Sequence, residues 1–550
     1  LQPKRANASL FSYDRSIRVF LDNMDSFYEK TLRWSLHHKK IVVGASAIIF
    51  FSSLLLMKYI GTDFMPETDE SRISASIELQ TGTRVEETVK ITRKLEKIIG
   101  ERYPEIELLS ASSGADDEGG MFSLFTTTGS NMINLMMRLS PVGERQRSVW
   151  EIADDLRLQI AQFPEVVNAN VSTSDQMMGG SSNTVDVEIY GFDFNTTNAV
   201  SEQIREKLSR MPKAKDIQVS RKKDKPELQI ILDKDKLSLH GLNSAMVSTY
   251  IRNRVSGLVA SQYKEEGDEY DIRVRLAEPF RSSITDLEEL TIVTPAGQKI
   301  KLKELGSIEE YWGPPSIQHK RKERIVTVSA KPDKISLGEL ANQIKAEIAD
   351  VPVPQEVMVI VGGAYEDQQE SFMDLGLLLV LSLILVFIVM ASQFESFTMP
   401  FVIMFSIPFA FTGVIYALFL TGTTLSVVAA LGAVLLVGIV VKNGIVLIDF
   451  TNLMRDRGFE LYEAIALSGK SRLRPVLMTA MTTILGMLPL ALSQGEGSEI
   501  WRPMGITVIG GLVFSTIVTM VIVPVMYGIF ARKGERNKQL KVRKQFQFMD

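Results

Sequence analysis

Leu425-SVVAALGAVLLVGIVVKNGIVLID-Phe450 reads as a membrane-spanning helix with one lysine, Lys442, set inside it. About 20 apolar residues cross a bilayer, and this run supplies them. A lysine at such depth costs roughly 2.5–3.5 kcal/mol on insertion scales. Either it faces a bundle interior and pairs there, or its long stem lifts the ammonium to the interface. About eight residues, or roughly 12 Å of helix, separate Lys442 from the nearer end of the run. Snorkelling covers only part of that distance, so a paired, functional lysine is the stronger reading.

Five further segments suit the same role: Ile41–Met57, Leu375–Met390, Pro400–Leu420, Pro475–Leu492 and Met504–Phe530. Basic residues flank them unevenly. Lys30, Arg33, Lys39 and Lys40 precede the first span, and Arg455, Arg457, Lys470, Arg472 and Arg474 fall between the fourth and fifth. Arg532, Lys533, Arg536 and Lys538 follow the sixth, whereas Thr421–Thr424 and Ser493–Pro503 hold only Arg502. By the positive-inside rule both termini are cytoplasmic and Gly61–Asp374 lies outside, in the periplasm of a bacterium. Ser9–Trp34 mixes apolar and charged residues at helical spacing, which suits an interfacial helix or an ordinary connecting one.

Composition narrows the function. The 550 residues exceed one ordinary soluble domain. A net charge of −4 offers no basic field for nucleic acid. The chain has no cysteine, which excludes disulfides, thiolate chemistry and Cys-type zinc sites. His37, His38, His240 and His319 form no HExxH pattern, and there is no Walker loop or nucleophile elbow. No enzyme, ATP-driven machine or cofactor site is therefore expected. Leu1–Lys40 lacks the apolar core of a signal peptide, and the first residue is leucine. The chain is expected to be part of a longer polypeptide or a processed product.

The outer block alternates two periodicities. Ser71–Leu79, Ile106–Ser113, Met132–Ser140 and Val166–Ser172 have strand character, and Val85–Ile99 and Val149–Phe163 have helical spacing. Their order is β-α-β-β-α-β, a split ferredoxin-like unit. A second copy runs through Val185–Tyr190, Asn195–Met211, Asp216–Ser220, Ile325–Ala330, Leu337–Ala349 and Val357–Gly363. Asp224–Glu323 interrupts it, and a structureless loop of that length does not sit inside a compact domain, so a subdomain is expected there. The fold class is an α+β membrane protein with six transmembrane helices, one plus five.

One span, a large outer block and five spans resembles the half-repeat of the RND (resistance–nodulation–division) transporters. Gly61-TDFMPETD-Glu70 resembles that family's lead-in to its porter domain, and Ser392-QFES-Phe397 its turn after the second span. Val441-KNGIVLID-Phe450 and Arg472-LRPVLMTAMTTILGMLPLA-Leu492 resemble its two charged spans. The resemblance covers essentially the whole chain and implies the C-terminal half of a hydrophobe/amphiphile efflux pump of a Gram-negative inner membrane. It implies an interfacial segment at 1–40, a first span at 41–60 and a first porter subdomain at 61–183. A second porter subdomain (184–223 and 324–370) encloses a docking subdomain (224–323). A five-helix bundle at 371–531 and a basic tail at 532–550 follow.

The same resemblance implies proton antiport, with Lys442, Arg472 and Thr479 at relay positions. Their usual partners are two aspartates in the N-terminal half. None of the six spans here carries Asp or Glu deep inside, and Asp449 lies near a span end. Positive-inside anchoring is a competing account of Arg472 and Arg474, and a bond within its own helix competes for Thr479. Further implied partners are two more copies in a homotrimer, a periplasmic adaptor, an outer-membrane channel and small amphiphiles.

Gly114-ADDEGGMFSLFTTTGS-Asn131 corresponds to a loop that separates two drug pockets in the family. Met121, Phe122, Leu124 and Phe125 are its apolar contacts, and ordinary loop packing is the alternative. Met132, Leu135 and Met137 are candidates for lining the same cavity, with core packing the stronger account of them. Met177 and Met178 raise metal export, since thioethers suit Cu(I). The heavy-metal branch, however, does not usually place Lys in the charged fourth-span motif. Sec-associated export proteins share the one-plus-five layout, but the docking-type insertion argues against them.

Overall fold

The computed structural model describes residues 13–114, 129–173, 183–222, 224–314 and 316–547, giving only the backbone of 13–18, 20 and 532–547. Helix α1 (Tyr13–His37) is separated by His38 from the apolar α2 (Lys39–Leu56).

The first sheet unit comprises β1 (Arg72–Leu79), α3 (Val85–Arg102), β2 (Ile106–Gly114), β3 (Gly129–Leu139), α4 (Val149–Ile160) and β4 (Val166–Ser172). The strands pair antiparallel in the order β2-β3-β1-β4. Alternation along β1 turns Ile73, Ala75, Ile77 and Leu79 to one face. There they meet Ile91, Leu95 and Ile99 of α3 and Ile152, Leu156 and Ile160 of α4. A capping box fixes the start of α4: Ser148 accepts from the Glu151 amide, and the Glu151 side chain accepts from the Ser148 amide.

The second unit opens with β5 (Val185–Tyr190), α5 (Phe194–Ser209) and β6 (Ala214–Val219). An insertion then intervenes with β7 (Lys225–Leu232), α6 (Lys234–Leu239), α7 (Ser244–Val255), β8 (Leu258–Glu265) and β9 (Asp268–Val274). It continues with α8 (Ile284–Glu288), β10 (Thr291–Val293), β11 (Lys299–Lys301), α9 (Leu302–Leu305) and β12 (Gly306–Gly313). Residues 221–318 form a compact unit of their own, with Leu237, Val247, Ile292 and Leu305 in its core. The second sheet resumes with β13 (Gln318–Lys320), β14 (Glu323–Pro332), α10 (Leu337–Ile348) and β15 (Met358–Gly363). Its main strands run β6-β14-β5-β15, the same order as in the first sheet.

Strand β15 passes directly into α11 (Ala364–Phe394), and α12 (Thr398–Met404), α13 (Ser406–Thr421), α14 (Val427–Asp456), α15 (Leu461–Leu492) and α16 (Ser498–Gln547) follow. Among the described residues, six stretches are long and apolar enough to cross a membrane: Lys39–Tyr59, Ala364–Phe394, Thr398–Thr421, Val427–Asp456, Leu461–Leu492 and Ser498–Ala531. The helices outrun the apolar segments that reveal them. Because α14 continues to Asp456, Lys442 stands fourteen residues, or about 21 Å, from that end rather than about eight residues. Helix α15 begins at Leu461 and runs through Pro475. Lys470, Arg472 and Arg474 are thus helical, not part of a connector. The physical reason is that hydrogen bonding and caps end a helix, whereas a loss of hydropathy does not.

Candidate functional site

Helix α14 is buried on most sides. Its exposed positions are Leu431, Leu435, Gly438, Lys442, Asp449, Leu453 and Asp456. The successive spacings of 4, 3, 4, 7, 4 and 3 residues place all seven on one face of an α-helix. Lys442 is therefore aimed outward from this chain's bundle. Among the described residues no carboxylate pairs with it. Neighbouring Asn443 and Gly444 are buried, and a Cβ on Gly444 would come within 2.8 Å of Ile403.

The second charged helix lies alongside. The Thr451 hydroxyl of α14 lies 2.9 Å from the Ser468 hydroxyl of α15, and the Leu447 carbonyl is within hydrogen-bonding distance of both, at 2.8 and 3.1 Å. The two helices are consecutive and antiparallel. Counting from that contact, Lys442 lies nine residues along one helix and Thr479 eleven along the other, so their heights differ by about 3 Å. Arg472 is half-buried, with its guanidinium carbon 4.3 Å from the centre of the Phe450 ring. Its Nε is buried without a hydrogen-bond partner. Thr479 is exposed and donates to the Val476 carbonyl at 3.0 Å. The structure thus brings Lys442 and Thr479 to one level, with Arg472 nearer the Asp456 end of α14.

Arg474 has a different setting. It meets Asp22 at 2.6 Å and Asp25 at 2.7 Å, and Lys470 meets Glu29 at 2.9 Å. Lys470 first, then Arg33, holds the Glu29 carboxyl below its usual range. Tyr28 of α1 donates to the Met520 carbonyl at 2.7 Å, and Leu32 and Leu36 are buried in the bundle core. Sequence reasoning missed this docking of α1 onto α15. The signal was present: Asp22, Asp25 and Glu29 repeat at one helical face, as do Lys470 and Arg474.

The candidate substrate residues divide. Met121, Phe122 and Phe125, like Met177 and Met178, lie outside the described residues. Leu135 and Met137 point into the core with Ile133 and Leu139, beneath α3 and α4. Strand parity decides this, and it removes both from a role in lining a cavity. Met132 has the opposite parity and is also buried. Met136, which sequence reasoning did not single out, shares that opposite face and is half-buried.

A cleft of about 320 Å³ opens between the two sheet units, lined by Glu67, Trp150, Asp154, Asn183, Lys215 and Asp333 among others. The Trp150 indole N–H and the Asn183 carbonyl oxygen are buried there without partners. Beside it, Arg157 of α4 lies 3.1 Å from Asp216 of β6, and Lys331 of β14 lies 3.8 Å from the same carboxylate. Burial pushes Lys331 below its usual range, and Asp216 pulls the other way.

Comparison with known proteins decides the family. The model of the AcrB/AcrD/AcrF family matches residues 1–531. The chain belongs to this family. It is an RND protein, which agrees with the order of its motifs. It is 27% identical over 518 residues to the cobalt-zinc-cadmium resistance protein CzcA of Cupriavidus metallidurans, covering 92% of this chain and 48% of the relative. It is 26% identical over 528 residues to the multidrug resistance protein MdtC of Photorhabdus laumondii, covering 94% and 49%. The crystal structure of a heavy metal efflux pump superposes with a TM-score of 0.75 at 26% identity, covering 93% of this chain and 52% of that one. The chain thus spans about half the length of the curated relatives it matches.

Proposed function

We propose that this RND chain works as the C-terminal half of a proton-driven efflux pump that exports amphiphilic compounds from the periplasmic side of a bacterial inner membrane. The observation that carries the reading is Lys442: a cation at mid-span, on the one exposed face of an otherwise buried helix. Such a face suits a partner surface that brings negative charge to the lysine. The aspartate pair that the family resemblance places in the other half has the required chemistry. With those carboxylates ionised, Lys442 is held across the seam. Protonating one weakens the pair and lets the helices repack. Arg472 adds positive field below it, and Thr479, level with Lys442, offers a hydroxyl to the same seam. Leaving one buried member unpaired costs several kcal/mol, enough to switch a two-state bundle.

In this reading the sheet units are the porter subdomains and residues 221–318 the docking subdomain. The assembly is a homotrimer with an adaptor and an outer-membrane channel. Basic termini on the cytoplasmic side orient it. The cleft beside Trp150, and Met132 and Met136 on the sheet face away from α3 and α4, supply apolar and polarisable contacts for amphiphiles.

A second reading, export of divalent metal ions, is supported by the likeness to CzcA and to the heavy metal pump. Lys442 in the charged fourth-span motif weighs against it. One experiment separates the two. Cells producing the protein are loaded with ethidium or with cadmium, and retention is compared for wild type and Lys442→Ala, with and without a protonophore. Dye export lost with either treatment supports the amphiphile pump. Cadmium export with unchanged dye retention supports the metal pump. If neither cargo responds, both readings fall.

A further inference from the structure

The segment Gly61–Ser71 joins α2 to β1, and its hydrogen bonds fall into two groups. At one end, the Leu425 amide donates to the Gly61 carbonyl at 2.8 Å, and the Asp63 amide donates to the Leu425 carbonyl at 3.2 Å. Thr62 and Leu425 thereby form a parallel bridge. The Val427 amide, first in α14, donates to the Phe64 carbonyl at 3.2 Å. The same few residues hold the start of α10. The Leu337 amide donates to Asp63 Oδ1 at 2.7 Å, and the Gly338 amide donates to the Thr62 carbonyl at 3.0 Å. The approach is close enough to require glycine: a Cβ on Gly338 would stand 2.2 Å from Thr62 Oγ1, and one on Gly61 2.8 Å from Ser336 Cβ.

At the other end, the partners change. The Gly497 amide donates to the Asp69 carbonyl at 3.2 Å, and Ser71 Oγ donates to Glu496 Oε1 at 2.7 Å. Both belong to the turn that joins α15 to α16 and adjoin Ser498, the first residue of α16. The Asp69 carboxylate accepts from the Ser71 amide at 3.0 Å and from the Val149 amide, first in α4, at 3.3 Å. It also pairs with Arg145, and both side chains are at least nine-tenths buried.

We propose that Gly61–Ser71 is a two-branched coupling strap, in which Thr62 and Asp63 tie α14 to α10 of the second sheet unit, and Asp69 and Ser71 tie the turn between α15 and α16 to α4 of the first. Each charged membrane helix is thus linked to one sheet unit, α14 through its first residue and α15 through the turn that follows it. Helices α10 and α4 carry the apolar faces that cover their sheets, so a shift at a helix start is passed to the whole unit. Hydrogen-bonded contacts between rigid elements transmit displacement in this way, and mobile loops do not. The inference rests on the proposed relay for its trigger, since Lys442 stands on α14 and Arg472 on α15. Asp63 and Asp69 act as positioning residues and touch neither substrate nor proton.

Amide hydrogen exchange in the full-length protein, held in lipid nanodiscs, tests the strap, with dye efflux measured in parallel. The triggers are Lys442→Ala and Arg472→Ala. The cuts are Asp63→Ala and the pair Ser71→Ala with Glu496→Ala, which strand no buried charge. Lys442→Ala is expected to change exchange across Leu340–Ile344 by roughly tenfold, within the range typical of coupled sites. The Asp63→Ala cut removes the Leu337 bond and leaves the backbone bonds of its branch, so it should reduce that response severalfold and leave the effect of Arg472→Ala on Ile152–Leu156 in place. The second cut should do the reverse. Responses undiminished by their own cut, or cuts that weaken both helices alike, overturn the strap. So does the absence of any amide response while Lys442→Ala stops efflux, an outcome that leaves the relay standing. If Lys442→Ala leaves efflux unchanged, the relay falls, and the amide pattern still decides the strap.

Discussion

Lys442 and Arg474 are cations on neighbouring membrane helices, and their circumstances are opposite. Arg474 finds Asp22 and Asp25 within its own chain. Lys442 faces outward on the exposed stripe of α14. The first is a packing device that fastens α1 to α15. The second is a charge presented to something beyond this chain. The same division separates two apolar residues one position apart on β3: Leu135 points into the core and Met136 away from it. Chemistry at a residue is therefore not the sign of its role. The direction in which the fold aims it is.

The sharpest break of this comparison is Lys442→Ala. Efflux should fall to the level of cells lacking the pump, while this chain stays folded, because Lys442 makes no ion pair within it and carboxylates left across the seam can take up protons instead of staying charged. Parallel thermal melts and efflux assays check both halves of the expectation. Full efflux by a well-folded variant would remove Lys442 from the relay. Leu135→Ala should do the opposite, costing about 2–5 kcal/mol as a core truncation. Surviving folded protein should keep its substrate profile, whereas Met136→Ala should shift the profile at little cost in stability. A reversed outcome would mean that strand parity misassigns the two.

Arg474→Met tests the inward charge. It leaves Asp25, which is mostly buried, without its cation. Exchange along α1 should quicken, with efflux per folded molecule reduced far less than by Lys442→Ala. If efflux collapses while α1 stays protected, Arg474 belongs to the relay and the contrast with Lys442 dissolves.

Much of this was legible in the residues. Apolar length revealed six helices, because bilayer thickness imposes a minimum run. Strand and helix periods were readable in the outer block, where one buried face forces alternation: Val166–Ser172 and Val185–Tyr190 stand where their spacing put them. What the residues hid was non-local. The true ends of α14 and α15 depend on capping and on packing against α1, not on hydropathy. The parity of β3 is set by which face α3 and α4 cover, a one-residue choice that Met-Ile-Asn-Leu-Met-Met leaves ambiguous, since both faces carry apolar groups. The strap is invisible for another reason. Half of its bonds join backbone to backbone, which leaves no spacing of side chains to read.

The smallest effect concerns the ion cluster between the sheet units. Lys331 is inward-facing like Arg474 but imperfectly compensated: it lies 3.8 Å from Asp216, which Arg157 already engages at 3.1 Å. Burial outweighs that attraction and depresses the lysine. A lysine whose folded value lies below its unfolded one binds fewer protons when folded. Its charged form therefore costs stability at neutral pH, and the cost fades as pH rises from the folded value towards the unfolded one near 10.4. Lys331→Met should consequently be slightly more stable than wild type at pH 7, and the advantage should shrink as pH is raised. Denaturant midpoints of the two proteins between pH 7 and pH 10 measure the difference directly, since other titrations cancel. An advantage that grows with pH would show that Asp216 holds Lys331 as a true ion pair. The junction of the sheet units would then be satisfied as fully as that of α1 with α15.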